Sequence, residues 1–87
     1  MYNHWLAKIR FKKQIENHLK PLLKQYLRRV VTPSLSDQIR DVVDNWLDNQ
    51  NDTVFEVHVM LELERVADFD GSLVDIIKTI KIIPQDV

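Results

Sequence analysis

The sequence predicts an α+β fold, with an N-terminal helical hairpin packed on a small sheet and a short helix near the C-terminus. Three observations lead there. Apolar residues recur at three- and four-residue spacings from Phe11 to Leu47. The period falls to two between Val54 and Val66. Two breaks, Thr32-Pro33-Ser34 and Asp68-Phe69-Asp70-Gly71, punctuate the pattern. With 87 residues, 45% of them hydrophobic and 29% charged, the chain reads as one small folded domain, 1–87. A chain this short buries only about 60% of its unfolded surface, so self-association would add stability that its own core supplies sparingly.

The first element occupies the basic segment 1–31. Phe11, Ile15, Leu19, Leu22, Leu23, Tyr26, Leu27 and Val30 form one helical stripe. Tyr2, Trp5, Leu6 and Ile9 form another, rotated by about a quarter turn, so the first ten residues either bend onto a different surface or make an arm. Pro21 removes a backbone donor within the stripe and predicts a kink. The second helix, 34–49, opens on Ser34 with Asp37 three residues later, a capping-box spacing. Leu35, Ile39, Val42, Val43, Trp46 and Leu47 give it a regular apolar face. A short break between two such helices implies an antiparallel pair, with Trp46 and Leu47 facing the first helix.

The strand spans 54–66. Phe55, Val57, Val59, Leu61 and Leu63 share one face, and Glu56, His58, Met60, Glu62 and Glu64 share the other, so one side is dry and the other wet and acidic. After the turn, Ser72 and Asp75 repeat the capping spacing, and Leu73, Ile76, Ile77 and Ile80 suggest a short helix over 72–80. The segment 80–84 either extends that helix or forms a brief strand parallel to the first, with Pro84 near an edge or outside the ladder. On this reading one long strand has open edges that the chain alone cannot satisfy. The strand, the helix and the ending Ile83-Pro84 together resemble one β-α half of a ferredoxin-like or ACT-like regulatory module. There the helix typically leads into Ile-Pro-Gly-Val and a further strand; here Gln85-Asp86-Val87 follows instead. The resemblance implies a β-α unit and no function.

Charge is strongly polarised. Residues 1–31 hold eight Lys and Arg against Glu16, a net +7; residues 32–87 hold four against twelve acids, a net −8. Such asymmetry governs association, and the simplest partner for a basic half is the acidic half of another copy. Lys13, Lys20, Lys24 and Arg28 make a row on the first helix suited to phosphates or an acidic partner, and Asp37, Asp41, Asp44 and Asp48 make a similar row on the second.

Several chemistries are not indicated. The absence of Cys removes disulfides, thiolate metal sites and a Cys nucleophile, and a single Gly leaves no phosphate-binding loop. His58 shares a strand face with Glu56 and Glu62, but three residues in one row do not surround an ion. Asp68-x-Asp70-Gly71-Ser72 resembles the opening of an EF-hand loop, yet Leu73, Asp75 and Thr79 stand where its later signature residues belong. The acids of the second helix sit on a polar face where nothing tunes a catalytic pKa. No cofactor, metal or catalytic residue is therefore expected. The N-terminus lacks a secretory cleavage pattern and no apolar run reaches membrane-spanning length, so a cytoplasmic protein is expected, with membrane association disfavoured. The expected function is a non-enzymatic interaction or assembly module, a homo-oligomer or a subunit of a larger complex, using the strand residues Phe55, Val57, Val59, Leu61 and Leu63. The alternative is a nucleic-acid-binding accessory protein using the basic row.

Overall fold

A computed structural model describes residues 4–50 and 55–86, with the side chains of His4, Phe55 and Asp86 outside that description. The class is α+β, built from one long N-terminal helix, a second helix and a two-stranded antiparallel sheet.

The N-terminal helix runs as α1 (His4–Gln14), a π-type turn (Ile15–Leu19), α2 (Lys20–Leu23) and a closing 3₁₀ turn (Lys24–Tyr26). Its buried residues Phe11, Ile15, Leu19 and Leu23 are spaced at four, with Tyr26 following at three in the closing turn. An α-helix would carry such a series steadily around its axis, because its repeat is 3.6. The π turn, marked by the Lys20 N–H donating to the Ile15 carbonyl, takes up an extra residue and keeps all four on one face. It also answers the kink expected at Pro21, which falls in the first turn of α2, where a missing N–H is tolerated. Trp5 is exposed and Ala7 packs on the core; Tyr2, part of the first stripe, lies outside the described residues.

The two helices do not form the expected hairpin. Leu27 is extended and Arg28 adopts a left-handed conformation, φ 70°, which turns the chain onto the sheet. The Arg28 N–H donates to the Ile77 carbonyl at 2.8 Å, Ile77 N–H returns to Arg29 at 3.0 Å, and Val31 N–H reaches Asp75 at 2.9 Å. Residues 28–31 thus lie as a short ribbon along the sheet, which the β-branched pair Val30-Val31 suits. The second helix, α3 (Pro33–Asp48), is capped by Thr32, not Ser34: the Thr32 hydroxyl accepts the Leu35 N–H at 3.0 Å and Pro33 takes the first position.

The C-terminal helix expected over 72–80 is a strand. β1 (Phe55–Ala67) and β2 (Leu73–Asp86) pair antiparallel along their whole length, and the β-α resemblance fails with the helix. The turn joining them brings Gly71 N–H to the Asp68 carbonyl and Asp68 N–H to the Ser72 carbonyl, with Gly71 at φ 88°. This is a type I turn closed by a glycine bulge, which sets an antiparallel register directly. Ser72 and Asp75, read as a cap, do other work: Asp75 pairs with Arg65 at 3.2 Å. The helical spacing of Ile76, Ile77 and Ile80 has a physical source. A second bulge sets Glu62 opposite Thr79 and Leu63 opposite Ile77, leaving Lys78 over. The extra residue puts Ile77 and Ile80 on the same side, although they are three apart. Both are buried, with Ile82, against Phe11, Ile15, Leu19, Leu23, Leu35, Ile39, Val43 and Trp46.

Candidate functional site

Of the five expected interface residues, Val57, Val59 and Leu61 are half-buried against the helical layer, while Leu63 is 46% exposed, contrary to a dry face along the whole strand. The helices end before the distal part of the hairpin, where Leu73 is 68% exposed. Phe55 begins β1 and pairs with Asp86, its side chain lying outside the described residues.

β2 meets most of β1's hydrogen-bonding needs on one edge, so among the described residues one edge of β1 is open, not both. Which groups face it follows from the ladder. Antiparallel partners alternate between pairs that exchange hydrogen bonds and pairs whose groups point away. Asp68 bonds Ser72, and Asp75 and Ile77 turn their groups outward to residues 28–31. Their partners Arg65 and Leu63 therefore also turn their N–H and C=O groups away from β2. β1 is the strand without the extra residue, so the alternation continues to Leu61, Val59 and Val57. Pro84 agrees: it lies opposite Val57, where no ladder donor is required. Among the described residues, no backbone bond outside the ladder reaches these odd-numbered positions of β1.

The outer face of the sheet is laced with exposed ion pairs, Lys81–Glu62 at 2.5 Å and Arg28–Glu64 at 3.2 Å. The Lys81 ammonium, bonded to Glu62, holds that carboxyl below its usual range. Met60 and Ile83 are exposed on the same face.

The basic row separates. Lys13 is exposed, Lys20 pairs with Glu16 at 2.7 Å, and Arg28 leaves the helix to meet Glu64. Lys20 and Lys24 rim a cleft of about 200 Å³ floored by Leu23, Leu27 and Ile80. The third cation on that rim is Lys78, the residue left over by the β2 bulge, which sequence reasoning missed. Its signal would have been the bulge, and the bulge is visible only once the register is known. Lys24 and Lys78 have no ion-pair partner among the described residues.

No group of three or more acids and histidines is placed to hold a metal among the described residues, and none of their helices is long and apolar enough to cross a membrane. Compared with known proteins, the chain matches no family model, no curated protein and no solved structure.

Proposed function

We propose that the protein is a non-enzymatic assembly module that pairs through the open edge of β1, with a second copy of itself as the partner. The carrying observation is the thirteen-residue strand β1, whose odd-numbered N–H and C=O groups have no backbone partner on that edge among the described residues. Edge strands of this length template pairing unless a bulge, proline or covering element blocks them, and β1 carries no proline. Antiparallel self-pairing about Val59 sets Val57 opposite Leu61 on the helical side and His58 opposite Met60 outside, extending the core across a two-fold axis. Glu56 then faces Glu62, whose charge Lys81 offsets.

The test is hydrogen exchange read together with mass by light scattering at micromolar concentration. The even-numbered amides of β1 are protected by β2 in any state. In the self-paired state Val57, Val59 and Leu61 are protected too, and the mass is that of a dimer or larger. A monomer in which these odd-numbered amides exchange freely while their even-numbered neighbours stay protected would overturn the proposal.

A second reading is favoured by Lys24 and Lys78, two exposed cations beside Lys20 that make no close ion pair among the described residues, Lys78 acting on Glu62 only through its charge. If the ligand is nucleic acid, Lys20→Glu with Lys24→Glu abolishes retention of mixed DNA and RNA at low salt while the fold persists, and wild-type retention falls steeply as salt rises. Wild-type protein that retains neither at low salt removes this reading.

A further inference from the structure

The tip of the β-hairpin carries a feature that neither the core nor the β1 edge uses. Phe69 is 99% exposed at the apex of a well-formed turn. Two aspartates flank it, and both brace the turn: Asp68 Oδ1 accepts the Phe69 N–H at 2.8 Å and Asp70 Oδ1 accepts the Ser72 N–H at 2.9 Å. The second bond holds the Asp70 carboxyl below its usual range, so it is ionised at neutral pH. The apex is therefore a preformed apolar knob between two negative charges.

The lysine-rimmed cleft is its counterpart: an apolar floor of Leu23, Leu27 and Ile80 with Lys20, Lys24 and Lys78 around it. Knob and cleft cannot meet within one chain. Gly71 and Thr79 are eight residues apart along the same extended strand, a separation of about 26 Å at 3.3 Å per residue. The distal end of the hairpin, where Leu73 is exposed as well as Phe69, leaves the knob free of the helices.

We infer that the Asp68-Phe69-Asp70 tip of one copy docks in the Lys20–Lys24–Lys78 cleft of another, Phe69 on the apolar floor and the two carboxylates toward the lysine rim. The contact deepens the assembly reading, on which it rests, but uses different residues from the β1 edge. It joins two unlike patches, so two copies either exchange tips reciprocally and close as a pair, or leave one tip and one cleft free and continue to a larger ring or a chain. Its charge pairs sit on the rim and govern rate and register, while seating Phe69 provides the affinity.

Because the patches differ, complementary variants isolate the contact. Phe69→Ser destroys the tip and keeps the cleft; Lys24→Glu with Lys78→Glu destroys the cleft and keeps the tip. All three positions are exposed, and circular dichroism confirms that the fold is retained. Fluorescently labelled Phe69→Ser protein is titrated with the cleft variant, which still has a tip, and separately with the triple variant, which has neither feature. Pairing through the β1 edge is open to both titrants. At least tenfold tighter binding of the titrant with a tip is the expected result, and neither variant alone grows past the edge-paired species. Equal binding of the two titrants overturns tip docking, whether or not the edge pairs. No binding by the triple variant with tight binding by the cleft variant refutes the edge alone and supports the tip. Wild-type protein that binds nucleic acid through the lysines but shows no loss of self-association in Phe69→Ser gives the cleft to another ligand and also overturns the assignment.

Discussion

Replacing Trp46 by Ala is expected to destabilise the protein by about 3–5 kcal/mol, the range for large aromatic truncations in a packed core. Trp46 is 8% exposed, and its ring lies 5.9 Å from that of Phe11, tilted at 44°. That contact ties α3 to the N-terminal helix, the one place where an aromatic pair joins the two among the described residues. A chain of this length has about 4–13 kcal/mol in total, at 0.05–0.15 kcal/mol per residue, so the loss is most of what a marginal fold holds. Urea unfolding read by far-ultraviolet circular dichroism checks it. An unchanged midpoint and slope would mean that this face of α3 is not core.

Prolines at adjacent positions of β1 are expected to act in opposite ways. Val59 turns its N–H to the open edge, so Val59→Pro removes no bond of the β1–β2 ladder and leaves the hairpin standing. Under the edge-pairing proposal it dissociates the edge-paired species. Met60 turns its N–H toward β2, opposite Lys81, so Met60→Pro leaves a ladder acceptor without its donor and destabilises the fold by about 1–3 kcal/mol, apart from steric strain. The melting temperature and the mass of each variant at one concentration separate the two effects. If Val59→Pro unfolds the chain as readily as Met60→Pro, the assigned alternation is wrong. If it folds and keeps the wild-type mass above that of a monomer, association runs through another surface.

Much of the architecture is legible in local pattern. The apolar face of α3 is written in the spacing of Leu35, Ile39, Val43 and Trp46, all of which are buried. β1 is equally plain, because alternation over a dozen residues fits no helix. The stretch from Leu73 to Ile80 is where pattern misleads. Its three- and four-residue spacings imitate a helix because one bulged residue shifts the phase of a strand, while Val74, Ile76, Ile77, Thr79, Ile80 and Ile82, all β-branched, favour the strand it forms. β1 decides the contest: it leaves an edge to be met, and a tight turn at Gly71 delivers this segment to it. A lone helix there would have left that ladder unmade.

The candidate surfaces divide along the same line. A strand with an edge to pair follows from periodicity alone, since it needs only residues near in sequence, and so does the polarised charge. The identity of the groups facing the edge depends on the register of β2, and Lys78 joins Lys20 and Lys24 only through a bulge in that register. Leu63 belongs to the apolar row of β1 by its spacing and is nevertheless exposed, although Ile77 opposite it on β2 is fully buried. Periodicity reports which side of a strand a residue occupies, and it carries no information about what the folded chain sets against that side. That is decided by contacts between residues distant in sequence: the ribbon 28–31 on β2, the helical layer over residues 57, 59 and 61, and the bare tip of the hairpin at Phe69.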